Sequence, residues 1–297
     1  MTYHKPVLLF ESIDGLAVRP DGIYVDATFG GGGHAQEILN RLGDKGRLFA
    51  FDQDKDALEN ALEDKRFCLI NQNFRFMARF LRFYGVKKVD GILADLGVSS
   101  HQFNEPQRGF STRFDTGLDM RMNVESKTTA YYVVNEYSEK ELADVLYHYG
   151  ELKNARAMAA SIVNYRCKEE IKTSFELKSA LAKFTPKHKQ QKILAQVFQA
   201  IRIEVNDELA ALKEFLMQTP GLIKQGGRLS VISYHSLEDR LVKRFVRSGL
   251  FEGEPEKDFY GNVKVPFKPQ KLITPSVGEI KENNRARSAK LRIATKL

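Results

Sequence analysis

Three aspartates each close a short apolar run in the first hundred residues of this 297-residue chain. Asp26 ends Tyr24-Val25, Asp52 ends Arg47-Leu48-Phe49-Ala50-Phe51, and Asp95 ends Val89-Asp90-Gly91-Ile92-Leu93-Ala94. Gly30-Gly31-Gly32-Gly33 lie between the first two, just ahead of His34 and a helical pattern. Four consecutive glycines have no side chains to pack, and they suit a turn whose backbone approaches a ligand closely. A glycine loop between a strand and a helix N-terminus is how α/β folds hold nucleotide-like ligands at the carboxyl ends of their strands. An acid at the tip of the second strand can accept hydrogen bonds from both hydroxyls of a ribose, which assigns that role to Asp52. Asp26 separates two cofactor classes. It stands four residues before Gly30, where a carboxylate would repel a pyrophosphate but would suit an ammonium and a sulfonium. That charge pattern selects S-adenosylmethionine over NAD. Asp95 opens a loop, Leu96-Gly97-Val98-Ser99-Ser100-His101-Gln102, that should lie over the ligand crevice and touch both cofactor and substrate. The simpler role for Asp95 is to cap the next helix.

Six segments together resemble one family. They are His4-Lys5-Pro6-Val7-Leu8, the DATFGGGGHA loop, ADLGVSSHQ, Arg108-Gly109-Phe110-Ser111 through Leu118-Asp119-Met120-Arg121-Met122, Ser233-Tyr234-His235-Ser236-Leu237-Glu238-Asp239-Arg240, and Asn284-Arg285-Ala286-Arg287-Ser288-Ala289-Lys290-Leu291-Arg292. In this order, and across essentially the whole chain, they are similar to the bacterial small-subunit (16S) rRNA cytosine-N(4) methyltransferases, the RsmH or MraW family. The resemblance implies an α/β fold: a Rossmann-like class I S-adenosylmethionine-dependent methyltransferase sheet with an inserted helical domain for substrate recognition. It implies no metal, and a 16S rRNA partner within the small ribosomal subunit or its precursor. It places Phe74 beside the adenine. Gly32, Gly33 and His34 are expected at the methionine end with Asp26, and Asp95 and Gln102 are expected to close the site.

A cytosine amine is a poor nucleophile because its lone pair is delocalised into the ring, so a group must hydrogen-bond the amino hydrogens as charge develops. DNA amino-methyltransferases use an acid, Asn or Ser followed by two prolines and an aromatic. Here the acid is kept in Asp95-Leu96-Gly97-Val98, but the prolines and the aromatic are missing. Phe103, Tyr234 or His235 could supply the stacking ring, and Tyr234 and His235 join Asp95 as candidate catalytic residues. Two further departures bear on RNA docking: Gln196 stands where relatives carry an Arg, and Gly117 where a Pro is common.

Composition fits this reading. A hydrophobic content of 42% supplies a core, and no apolar run approaches the ~18 residues of a membrane span. No signal-peptide pattern opens the chain, and two cysteines in unlike contexts argue for a reducing, cytoplasmic compartment. The His and Cys residues show no metal-ligand spacing. A net charge of +8 favours a polyanionic partner. The sequence leaves a homodimer open.

Strand and helix patterns alternate to about residue 105. A poorly periodic stretch rich in Arg, Gly, Phe and Asp follows and reads as an ordered loop over 106–122. Helical periodicity then runs over 139–184 and again from Ile193 to Met217 as one long amphipathic stretch. Sheet signals return at Arg228–Ser233 after a Gly226-Gly227 turn. The expected organisation is a discontinuous methyltransferase domain, 1–105 and 215–297, with a mainly helical insert over 106–214. The alternation in Ala289-Lys290-Leu291-Arg292-Ile293-Ala294 predicts a strand with Leu291 and Ile293 inward. Arg285, Arg287, Lys290 and Arg292, with Lys187 and Lys189 in a second basic stretch, are the candidate RNA contacts. Arg285 and Arg287 are two apart, so on an extended chain they would share a face. Two other classes fit less well. Asp26 and the basic C-terminus argue against an NAD-dependent oxidoreductase, and three acids at three strand tips argue against a non-catalytic RNA-binding assembly factor.

Overall fold

The computed structural model describes residues 6–257, 259–261 and 263–297, so His4 and Lys5 of the first motif lie outside the described residues. Seven strands form one sheet: β1 Ile23–Asp26, β2 Arg47–Phe51, β3 Phe67–Ile70, β4 Val89–Asp95, β5 Ile223–Ser233, β6 Phe267–Pro269 and β7 Lys290–Lys296. Their order is β3-β2-β1-β4-β5-β7-β6. β1 to β5 pair in parallel, whereas β7 runs antiparallel to both β5 and β6. The parallel strands are near-continuous apolar runs because both faces of such a sheet are covered. From β1 the order runs outward to β2 and β3 on one side and to β4 and β5 on the other. That reversal opens a crevice at the carboxyl ends of β1 and β4, where an open α/β sheet binds its ligand. The Rossmann-like sheet expected from the sequence is present.

The helices are α1 Leu9–Leu16, α2 Gly33–Arg41, α3 Met77–Phe83, α4 Ser100–Asn104, α5 Ala130–Glu136, α6 Glu139–His148, α7 Ala155–Arg166, α8 Ser174–Ala180, α9 Gln190–Asn206, α10 Glu208–Leu222, α11 Ser236–Ser248 and α12 Val277–Glu282. The chain divides into two compact units: residues 1–97 with 209–297, and residues 98–208. The first holds the sheet. Val25, Phe49, Ile92 and Val231 are buried there against Leu81, Phe215 and Phe245. The second has its own core, in which Val133, Leu146, Ile162, Leu177 and Val197 are buried together. Reciprocal capping boxes start several of its helices, Ser138 with Glu141 on α6 and Thr173 with Glu176 on α8. The segment 106–122 is irregular but tied down. Arg108 donates to the carbonyls of Arg121 and Met122, Arg121 forks onto Asp119, and Asn206 bonds both Met120 and Met122.

Three local readings are corrected. The stretch 193–217 is two helices, because Asp207 takes the left-handed conformation at φ 49° and ends α9. Gly226-Gly227 is no turn ahead of a strand. β5 begins at Ile223 and passes through the pair, its register against β4 shifting there, with Gly226 at φ 78°. β3, which the sequence reading did not single out, is four residues at the sheet edge, Phe67–Ile70, followed by Asn71 rather than an acid. Arg285 and Arg287 lie in a 3-10 turn, Asn284–Ser288, so their spacing of two does not give them a common face. Its cause is the Asn283 side chain, which accepts the Arg285 N–H and starts a turn where alternation alone suggested extended chain. β7 has Leu291 and Ile293 buried, as the alternation predicts.

Candidate active site

The three acids stand at the tips of three adjacent parallel strands. Asp26 is fully buried, and its Oδ1 accepts the Thr28 N–H at 3.0 Å. Its Oδ2 is buried with no hydrogen-bond partner. Burial first, and then the charge of Asp52, push the Asp26 carboxyl up to about 7. Thr28 ties β1 to β4, since its Oγ1 accepts the Asp95 N–H at 2.6 Å. Asp95 accepts the Tyr234 hydroxyl on Oδ1 at 2.8 Å, and its Oδ2 lies 3.9 Å from His34 Nδ1. Burial is also the main reason that the Asp95 carboxyl is pushed up to about 7. The Tyr234 bond opposes the shift, and the charges of Asp26 and Glu238 add to it.

His34 brings no positive charge to this centre. Burial lowers its imidazole to about 4, so it is neutral near pH 7. Its Nε2 lies 3.2 Å from the Val7 carbonyl, which can only accept, so Nε2 carries the proton and Nδ1 presents a lone pair. No Lys or Arg contributes to the shift of Asp26 or of Asp95. Asp26 is fully buried, Asp95 is 23% exposed and is raised further by the Asp26 charge, and with no Lys or Arg offsetting either of them the two form a site that a positively charged ligand would complete.

The glycine loop is shaped by close approach. Gly32 is at φ 77°, and a Cβ there would meet the Phe29 ring at 2.9 Å. A Cβ on Gly33 would overlap the Pro6 ring. Asp52 ties the loop to β2: its Oδ2 accepts the Gly30 N–H at 2.8 Å and its Oδ1 the Asp54 N–H at 2.9 Å. These bonds orient the Asp52 carboxylate at the tip of β2. Phe74 begins a 3-10 turn after Asn73 and packs edge-on to Phe215 at 5.2 Å. Asn73 in turn bonds Gln53, next to Asp52.

Helix α11 explains His235. The side chain caps that helix in a box with Glu238, whose carboxylate accepts the backbone N–H groups of Tyr234 and His235. His235 Nε2 lies 3.1 Å from Glu238 Oε1 without hydrogen-bond alignment. The imidazole is thus held by its own helix, whereas Tyr234 reaches Asp95. Burial and the neighbouring carboxylates hold the Tyr234 hydroxyl well above its ordinary range, so it stays a donor. In the other unit, Gln102 is buried and serves a capping box with Ser99, so Ser99 rather than Asp95 caps α4.

The basic candidates differ among themselves. Arg292 and Lys290 both reach Asp239, at 2.7 Å and 3.1 Å. Arg285 is half-buried and Arg287 is exposed. In the second unit Lys187 and Lys189 are exposed ahead of α9, and Gln196 donates to the Gly150 carbonyl, so it serves the unit's own packing. Sequence reasoning missed Thr28, Glu238 and Asp239. The spacing His235-x-x-Glu238 was a capping-box signal for the second of these. Thr28 and Asp239 had none, because their partners are distant in the chain.

The whole chain, residues 1–297, matches the MraW methylase family. It is 66% identical over 298 residues to the ribosomal RNA small subunit methyltransferase H of Christiangramia forsetii, covering 100% of this chain and 99% of that protein. The protein of the same name from Flavobacterium johnsoniae is 65% identical with the same coverage. That of Bacteroides thetaiotaomicron is 52% identical, over 100% of this chain and 98% of its own length.

Proposed function

This chain belongs to the MraW methylase family, and on that footing we propose that it transfers a methyl group from S-adenosylmethionine to the exocyclic N(4) amine of a cytidine in the decoding region of 16S rRNA. The observation that carries the reading is the acid pair at the strand tips beside the glycine loop: Asp26, fully buried, and Asp95, held by Thr28 and Tyr234, with no Lys or Arg to offset them. S-adenosylmethionine supplies an activated methyl group on a sulfonium, so alignment of donor and acceptor is most of the catalytic task. Asp26 and the backbone of Gly32, Gly33 and His34 would hold its methionine end, Asp52 its ribose and Phe74 its adenine.

The protein's own groups then do the following. Asp26 and Asp95 ionise more readily once a cation offsets their mutual repulsion. Tyr234 donates to Asp95 Oδ1 and fixes the carboxylate, leaving Oδ2 to accept an amino hydrogen. As nitrogen gains its fourth bond, Asp95 holds the developing positive charge and takes the released proton, a task suited to a carboxyl tuned near neutrality. The helical unit 98–208, with exposed Lys187 and Lys189, supports a role in RNA recognition, as do Arg285, Arg287 and the Lys290–Arg292 segment. Among the described residues no helix is long and apolar enough to cross a membrane.

The test is nucleoside mass spectrometry of 16S rRNA from small subunits lacking the modification, before and after incubation with the protein and S-adenosylmethionine. N(4)-methylated cytidine should appear. A methyl group on carbon or on ribose oxygen would reject the assignment of the amine.

A further inference from the structure

At the carboxyl edge of the sheet, where Ser233 of β5 pairs with Lys290 of β7, there is a cavity of about 430 Å³. Its volume lies in the range of roughly 300–1,000 Å³ in which small ligands bind. Tyr234, His235, Thr274, Ile280, Arg287 and Lys290 contribute to the lining, and no carboxylate does. Two cations, hydroxyl groups, an aromatic ring and an aliphatic side chain suit a ligand that is anionic at one end and flat and apolar at the other. The nearby acids are already engaged: Glu238 accepts backbone N–H groups of the α11 cap, and Glu279 accepts the Leu8 N–H at 2.7 Å. Asp239 is shared by Lys290 and Arg292, so that cluster keeps one net positive charge, and exposed Arg287 adds another.

Tyr234 relates the cavity to the chemistry. Tyr234 lines the cavity, and its hydroxyl donates to Asp95. Asp95 itself does not line the cavity, which makes the cavity a place beside the reacting centre rather than the centre itself. We propose that this cavity receives the nucleotide adjoining the target cytidine on the RNA strand, with its phosphate on Arg287 and Lys290 and its base against Tyr234 and Ile280. The inference rests on the methyltransferase reading above. It adds a physical device to it, because holding the neighbouring nucleotide offsets the cost of unstacking the target.

The experiment compares the unaltered protein with Arg287→Ala and with Ser288→Trp, which places an indole at the cavity wall. Small subunits lacking the modification serve as substrate, and S-adenosylmethionine affinity is measured alongside to report folding. Both variants should raise KM about tenfold while changing kcat far less. Arg287→Ala should also flatten the salt dependence of binding by about one unit of slope. Ultraviolet crosslinking of the unaltered complex should join a peptide containing Tyr234 or Thr274 to the nucleotide beside the methylated one. Unchanged KM and salt slope in both variants, or a crosslink from these peptides to the target cytidine itself, would overturn the proposal. If the unaltered protein methylates no RNA, the underlying reading fails and the proposal falls with it. Active unaltered protein with unaffected variants removes the cavity's role alone.

Discussion

The acidic strand tips and the basic C-terminal edge lie on the same sheet, yet they treat charge in opposite ways. At the tips, Asp26 and Asp95 are pushed up to about 7 with no cation to offset them, and one Asp26 oxygen is buried without a partner. At the edge, Lys290 and Arg292 close onto Asp239, whose carboxyl they hold below its ordinary range against its burial. A buried, unbalanced charge marks a place where the balancing charge must come from a ligand. A paired or exposed charge carries no such demand, so the donor site is specified more tightly than the RNA surface.

The largest expected effect is at the acid centre. Asp95→Ala should lower turnover by about 100-fold or more, because the amino hydrogens lose their acceptor in the transition state. Asp95→Asn should keep part of the activity through its amide oxygen. An Asn variant as fast as the unaltered enzyme would show that the carboxylate's charge is irrelevant. Next comes Asp52→Ala, which should weaken S-adenosylmethionine binding by roughly 2 to 3 kcal/mol, the scale of lost charged hydrogen bonds. Calorimetric affinity equal to the unaltered protein would remove Asp52 from the ribose site.

The acid pair also predicts a pH response. Each carboxyl titrates near 7 when folded and near 3.8 when unfolded, so the folded state binds the proton more tightly. Ligand-free stability should therefore fall as pH rises from about 4 to about 7. His34 acts in the opposite sense: its folded value of about 4 lies below 6.5, so it adds stability as pH rises across that interval. Asp26→Asn should remove up to about 1.4 kcal/mol per pH unit of the fall. Denaturant titrations at pH 5, 6 and 7 with identical slopes for both proteins would contradict this. The smallest effect is His235→Ala. As loss of a helix cap it should cost about 1 kcal/mol of stability, while S-adenosylmethionine affinity is kept.

The donor half of this comparison was legible in the sequence because its parts are local. A strand, its terminal acid and a glycine loop are contiguous, so Asp26, Asp52 and Asp95 could be placed by inspection. Tyr234 and His235 could be named but not told apart. The difference between them is that one reaches Asp95, far back in the chain, while the other caps its own helix. The basic edge was harder still. Lys290 and Arg292 looked like free cations until α11 brought Asp239 to them, and Arg285 and Arg287 looked extended until the 3-10 turn separated their faces. Side chains whose partners are distant in sequence are the ones that alternation and spacing leave unspecified.

The central claim is that the acid centre takes its missing positive charge from the methyl donor. Titration calorimetry of the ligand-free protein with S-adenosylmethionine at pH 7, repeated in buffers of different ionisation enthalpy, tests it most directly. Binding of a cation should drive protons off Asp26 and Asp95. The apparent enthalpy should then vary with the buffer in the sense of proton release, and Asp26→Asn should reduce that release, while NAD binds far more weakly. Enthalpies independent of buffer, or NAD bound as tightly as S-adenosylmethionine, would contradict the account.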